Sequence, residues 1–327
     1  MTARIALDSM GGDHAPRQTV LGALDAAAAG VEVVLVGHSA ALASELEKAG
    51  GDLPVIHAPE VVEMGDDPAA AIRSKKGASV TVAARLVADG DAGGMVSAGS
   101  TGAALAAAAI VIGRIPGVTR PAIAILFPMG SPAVVLDAGA NTEVQPGALA
   151  EFGVMGSALA QVYLGIDEPK VGLLNIGEEP GKGRALEKEA YRLLSERPIR
   201  FVGNVEGRDL GTGTADVIVT DGFTGNVLLK TAEGTSRAVA RFVLGAIAES
   251  DDPAIQESSQ TILPYLMELR QAFDPEAYGG AHLVGVKGTV VIAHGSSSRI
   301  AIANALSLAS EGAERDLVGR IEAGLGG

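Results

Sequence analysis

Short runs of aliphatic and β-branched residues alternate with longer Ala/Leu-rich stretches along most of this chain. That alternation restricts the fold more than any other feature. Strands are expected at Ile5-Ala6-Leu7, Val33–Val36, Val55–His57, Met95-Val96, Ala122–Phe127, Ala133–Leu136, Val171–Leu174, Phe201–Val205 and Val217–Val219. Helices are expected over Pro16–Ala28, Ser39–Ala49, Ala70–Arg73, Ala78–Ala88, Thr101–Ile112 (buried), Pro146–Leu164 and Arg184–Leu194. A strand–helix–strand rhythm gives a largely parallel sheet with helices on both faces. Strands covered on both faces read as unbroken apolar runs, as these do. The Pro128-Met129-Gly130 turn joins two of them directly. No repeat or linker divides residues 1–327, so a single α/β unit is expected.

Composition removes whole classes of function. Aromatic residues make up 3% of the chain and Trp is absent, so the core rests on Ala, Val, Leu and Ile. With no Cys, disulfides, thiolate metal sites and Cys nucleophiles are excluded. The net charge of −14 excludes a nucleic-acid binder that relies on overall positive charge. Asp8 interrupts the first apolar run, so no signal-peptide core is expected. Ala103–Ile112, the longest apolar stretch, is too short to span a bilayer. A cytoplasmic protein is the expectation.

The chemistry gathers where the strands end, as ligands do in open α/β sheets. After the first strand come Asp8, Gly11, Gly12, Asp13 and His14; after the fourth, Ser97, Gly99, Ser100 and Thr101. Asn141 follows Leu136 within Asp137-Ala138-Gly139-Ala140-Asn141. Asn175, Gly177 and Glu178 follow Leu174, and Asp221, Thr224 and Gly225 follow Val219. Gly/Ser/Thr loops that open helices present backbone N–H groups at the positive end of a helix dipole, a setting for phosphate. Each such loop is also an ordinary connector, but six in one chain point to a shared anion site. Lys182, between Gly181 and Gly183, can hold a phosphate or polarise a carbonyl. Its plainer role is a loop lysine paired with Glu178 or Glu179. Asn226 can donate its amide to an oxyanion or cap a helix. His14 and His294 sit in polar, Gly-rich loops and fit a site lining, whereas His38 and His57 end strands and read as structural.

Several familiar sites are missing. No G-x-G-x-x-G follows the first strand, and Gly177–Gly183 lacks both the spacing and the Ser/Thr of a P-loop. No G-x-S-x-G elbow marks a serine hydrolase, and no His/carboxylate cluster has metal-ligand spacing. No metal or cofactor is expected.

Taken together, these loops resemble the bacterial phosphate acyltransferases, which make acyl phosphate from acyl-acyl carrier protein and inorganic phosphate. The segments that carry the resemblance run in family order from Ile5-Ala6-Leu7-Asp8-Ser9-Met10-Gly11-Gly12-Asp13 through Ser97–Gly102, Arg120–Ala124 and Leu136–Asn141. They continue through Gly172–Glu179 with Lys182-Gly183, Phe201–Gly207, Asp216–Lys230 and His294–Ser297. Ser100, where the family more often has Asn, and the Pro180-Gly181 pair depart from the pattern. The resemblance implies a fold like isopropylmalate dehydrogenases and phosphotransacetylases. It also implies a homodimer, and a product that feeds glycerol-3-phosphate acylation in phospholipid synthesis. The family's catalytic positions fall on Lys182 and Asn226. Its helical hairpin, through which it contacts the membrane peripherally, falls near Phe242–Tyr278, with Ile262, Leu263, Tyr265, Leu266, Met267 and Leu269 as apolar contacts. An acidic carrier protein must dock on a local basic patch. Arg73, Lys75 and Lys76 form the densest one, which is otherwise a solvated helix end. Three rival classes remain: a phosphotransacetylase acting on coenzyme A thioesters, a non-catalytic scaffold, and a metal-dependent dehydrogenase-like enzyme.

Overall fold

All the expected strands form, and they join one continuous sheet. The computed structural model describes residues 3–128, 130–248, 250, 252, 256, 258–259, 261–262, 265 and 278–326. In chain order the strands are β1 (Ile5–Asp8), β2 (Val33–Gly37), β3 (Val55–His57), β4 (Gly94–Ser97), β5 (Ala122–Phe127) and β6 (Ala133–Leu136). They continue with β7 (Lys170–Leu174), β8 (Arg200–Val205), β9 (Val217–Val219), β10 (Ala281–Val284) and β11 (Thr289–Ile292). The sheet order is β3-β2-β1-β4-β11-β10-β5-β6-β9-β7-β8. Two parallel blocks, β3-β2-β1-β4-β11 and β6-β9-β7-β8, flank an antiparallel centre made by β10 and β5. Parallel strands inside the blocks are buried, β7 apart from its two end residues, whereas the edge strands β3 and β8 are partly exposed. That difference matches coverage by helices on both faces.

β10 and β11 were not among the expected strands. They come from the far end of the sequence and insert as a hairpin between β4 and β5. Helices Arg299–Glu314 and Leu317–Leu325 follow them.

The helices that position the site are α1 (Arg17–Ala28), α2 (Ser39–Ala49), α3 (Pro68–Ser74), α4 (Ser79–Ala88) and α5 (Thr101–Ala107). With them come α6 (Pro146–Leu159), α7 (Ala185–Ser195) and α8 (Gly222–Ala248). Residues Ala148 to Leu159 of α6 are all buried, which fits a helix that is apolar all round. Its buried Glu151 accepts hydrogen bonds from the N–H and hydroxyl of Thr119, both at 2.7 Å. Thr101–Ile112 is less buried than its sequence suggests. The helix widens into a π turn over Ala108–Ile112, and Thr101, Ala109 and Ile110 face solvent. Separate apolar clusters cover the sheet, one around Ile72, Met95 and Val290, another around Leu136, Phe152 and Val217, and a third around Leu7, Leu42 and Leu306.

His282 stands in the central strand β10 and is fully buried. Its ring lies 4.4 Å from that of Tyr163, and neither of its nitrogens has a hydrogen-bond partner. Burial pushes its pKa down from 6.5 to about 4. Below pH 6.5 the unfolded chain therefore binds a proton that the folded chain refuses, and folding stability falls as pH drops. We expect urea unfolding to show a loss of about 3 kcal/mol between neutral pH and pH 4 from this residue. His282→Phe removes that component. An unchanged pH slope in the variant would show that the acid sensitivity lies elsewhere.

Candidate functional site

The loops singled out by sequence fall into two hydrogen-bonded groups, one on each parallel block. In the first, β1, β4 and β11 are neighbours, so their carboxyl ends lie together. The Ser97 hydroxyl donates to Asp8 Oδ2 at 2.7 Å and accepts from the Gly99 N–H at 3.2 Å. Asp8 is buried beneath this loop. Burial pushes its carboxyl above the usual range, while Ser79, Ser97 and the Met10 and Gly11 amides pull it back. A cavity of about 10 Å³ beside it, lined by Gly11, Ser79, Ser97, Gly99 and Ser100, has room for one water. The Asp13 N–H donates to the Gly295 carbonyl at 2.8 Å and ties the Gly11-Gly12 turn to the β11 loop. His14 and His294 are exposed there, the latter bonded through Nδ1 to the Ser296 hydroxyl. Ser100 occupies the N-cap position of α5, without a side-chain capping bond, and Thr101 begins the helix.

The second group is organised by Asp137, which sequence reading had placed in a loop without a role. Its fully buried carboxylate accepts five hydrogen bonds. Oδ1 takes the N–H groups of Ile123, Gly139 and Ala140, and Oδ2 takes the backbone and side-chain N–H of Asn141. Asn141 is thereby fixed, and its carbonyl accepts from the Gly222 N–H at 2.8 Å. This bond seats the first turn of α8 on the β6 loop. Gly225 completes the seat, since a Cβ there would stand 1.9 Å from the Asp137 carbonyl oxygen.

Asn226 does not cap a helix. The cap of α8 is Asp221, which accepts from the Thr224 N–H at 2.8 Å and from its hydroxyl at 2.9 Å. Asn226 lies one turn further along α8, where its exposed amide faces Gly139. The local reason is steric, because Gly225 belongs to the helix rather than to a flexible loop.

Lys182 comes from the loop between β7 and α7. Its carbonyl accepts from the Asn175 amide at 3.2 Å, and its N–H donates to the Glu179 carbonyl at 3.0 Å. Gly183 follows at φ +87°, where any side chain would also strike the Asn175 amide. The Lys182 ammonium is half-exposed and 3.8 Å from Glu179. That separation is a loose surface pair, weak enough to yield to an anion. Glu178 pairs instead with Arg208, and Gly177 lies under the Lys182 stem.

β9 pairs with β7 and with β6, so the Lys182, Asn226 and Asn141 loops are neighbours. Arg184, also unnoticed in the sequence, bridges two of them. Its guanidinium reaches Glu187 at 2.5 Å and Asp221 at 2.9 Å. Burial alone would raise the Glu187 carboxyl, but Arg184 and backbone N–H groups outweigh it and hold it below its ordinary value.

Three antiparallel pairings separate the blocks, so the carboxyl ends of β6, β9 and β7 run against those of β1, β4 and β11. The two loop groups therefore belong to separate parallel blocks of the one sheet.

The basic patch is weaker than its sequence suggests. Lys75 is tied to Asp66 at 2.6 Å and to the Val61 carbonyl at 3.0 Å, while Arg73 and Lys76 are exposed. Most of the expected hairpin lies outside the described residues, including Leu263, Leu266, Met267 and Leu269. Ile262 and Tyr265 are described, and both are exposed. No group of metal-ligating side chains occurs among the described residues.

A phosphotransacetylase from Streptococcus pyogenes superposes with a TM-score of 0.64 at 20% identity, covering 96% of this chain and 94% of that one. A 4-hydroxythreonine-4-phosphate dehydrogenase from Burkholderia phymatum superposes with a TM-score of 0.55 at 16% identity, covering 95% and 98%. These likenesses establish the fold. Among sequence relatives, a phosphate acyltransferase of Desulforamulus reducens is 47% identical over 98% of this chain and 97% of its own length. One from Thermus thermophilus is 46% identical over 97% of each chain. The model of the family described as fatty acid synthesis protein matches residues 3–320, and the chain belongs to that family.

Proposed function

We propose that the protein is a phosphate acyltransferase that converts long-chain acyl-acyl carrier protein and inorganic phosphate into acyl phosphate and free carrier. The product would feed glycerol-3-phosphate acylation in phospholipid synthesis. The observation that carries this reading is near-full-length identity of 47% to a phosphate acyltransferase. The geometry supports it, because Lys182 on the loop after β7 and Asn226 in the first turns of α8 after β9 follow neighbouring strands.

Phosphate near neutral pH is already partly dianionic, so the reaction needs no strong base. A phosphate oxygen attacks the thioester carbonyl carbon, the carbon–sulfur bond breaks, and the proton carried by phosphate passes to the departing thiolate. The protein's task is to hold the two anionic centres in line and to stabilise the oxyanion. Lys182 offsets repulsion between phosphate and that oxyanion, and the Asn226 amide donates to the carbonyl or to phosphate. Loop N–H groups of Gly11, Gly12, Gly99, Ser100, Thr101 and Gly177 hold phosphate, with Asn141, Asn175, Glu178, Asp221, Thr224 and Gly225 shaping the opposite wall. Asp8, Asp13, Ser97, His14 and His294 complete the first.

The continuous sheet supports treating residues 1–327 as one catalytic unit, with 242–278 as an extension. Phe242 and Val239 are exposed on α8, which suits a homodimer contact or a peripheral membrane contact. No described helix is long and apolar enough to cross a membrane.

The purified protein, given long-chain acyl-acyl carrier protein and phosphate, should form a hydroxylamine-trappable acyl phosphate in a phosphate-dependent manner. Lys182→Ala and Asn226→Ala should each lower kcat about a hundredfold in folded protein. Full turnover in either variant would remove that residue from the mechanism. No product from acyl-acyl carrier protein, with product from acyl-coenzyme A, would transfer the reading to the coenzyme A class.

Carrier docking makes a separate demand. Arg73→Glu with Lys76→Glu should raise KM for acyl-acyl carrier protein about tenfold and leave kcat unchanged, since rim charges act on encounter. An unaltered KM would place the docking surface elsewhere.

A further inference from the structure

Lys182 stands on the loop after β7 and Asn226 on the helix after β9, so their separation depends on how that loop is held against the start of α8. The pairing of β7 with β9 brings the two loops side by side, and a hydrogen bond ties them beyond the strand ends: Arg184 Nη2 donates to Asp221 Oδ2 at 2.9 Å. Both ends of this bridge are anchored. Arg184 lies two residues beyond Lys182, and Glu187 accepts from its backbone N–H at 2.7 Å and from its guanidinium Nε at 2.9 Å. Asp221 is buried, caps α8 through Thr224, and stands five residues before Asn226 on the rigid first turns of that helix. The planar guanidinium with two carboxylate partners fixes orientation as well as distance.

We propose that Arg184 is a positioning residue: by bridging Glu187 and Asp221 it sets the Lys182 loop against the start of α8 and so holds Lys182 and Asn226 in register for phosphate attack. The inference rests on the acyltransferase reading above. Its chemistry is indirect, since the Arg184 charge is balanced by two carboxylates and its role is geometric. A small misplacement of reacting groups is sufficient to slow a reaction by ten- to a hundredfold.

The test compares wild type with Arg184→Gln, Arg184→Lys and Asp221→Asn in the phosphate-dependent assay, well below the melting temperature of each. Asp221→Asn is informative because Asn caps helices as well as Asp does while removing the charge that Arg184 seeks. Arg184→Gln and Asp221→Asn should each lower kcat about tenfold, with KM for phosphate altered less than twofold. The double variant should fall no further than either single one, and Arg184→Lys should recover part of the loss. Wild-type kcat in Arg184→Gln would overturn the proposal. So would a raised KM for phosphate at unchanged kcat, which would make Arg184 a phosphate ligand, and so would additive losses in the double variant. Absence of product from wild type would instead count against the acyltransferase reading itself.

Discussion

The candidate site is built around a buried carboxylate that takes no part in the proposed chemistry. Asp137 gathers five N–H donors from β5 and its own loop. Removing a charge from water is expensive, and this one is tolerated because N–H groups replace its hydration. In return the loop that contains Gly139 and Asn141 has a single arrangement. Asn141 then receives the Gly222 N–H, and Gly225 rests on the Asp137 carbonyl. The direction of α8, and with it the placement of Asn226, follows from these contacts. A side chain at Gly225 would break the seat from the helix side, and an unpaired carboxylate would break it from the loop side.

The alternation of apolar runs and Ala/Leu-rich stretches was enough to read every strand from β1 to β9 and the helices between them. The antiparallel centre was harder to see. β10 and β11 are four residues each, follow a stretch without strand signals, and pair with β5 and β4, which precede them by more than 150 residues. The run Thr289–Ile292 is β-branched throughout and was available as a signal. Its position in the middle of the sheet was not, because pairing between distant segments leaves no local trace. His282 illustrates the same point. In sequence it is one histidine among five, and only the packing of β10 against Tyr163 makes it a buried neutral ring.

Within the site, residue types were legible and their division of labour was not. Asp221 and Asn226 are both good caps by chemistry. Asp221 holds the position because Gly222 and Gly225 let the helix begin at once against the β6 loop. The glycines that look like loop flexibility in sequence are, in the fold, the places where two backbones meet. Asp137 was passed over for the converse reason. A lone acidic residue at a strand end carries no signal of burial until the donors around it are known.

The acidity of the chain also acquires a local meaning. Around the proposed site each cation has an anionic neighbour, but the pairs differ in kind. Arg184, itself exposed, is held at 2.5 and 2.9 Å by the buried carboxylates of Glu187 and Asp221, whereas Lys182 meets the exposed Glu179 at 3.8 Å. A locked pair serves geometry, and a loose one leaves the ammonium available to an arriving phosphate. The same distinction bears on Lys75, held by Asp66, and on Arg73 and Lys76, which have no such constraint. In a protein of net charge −14, then, anion recognition depends less on how many basic residues lie nearby than on which of them remain unengaged. By that criterion Lys182 is the less engaged cation of its loop and Arg184 the more tightly held one.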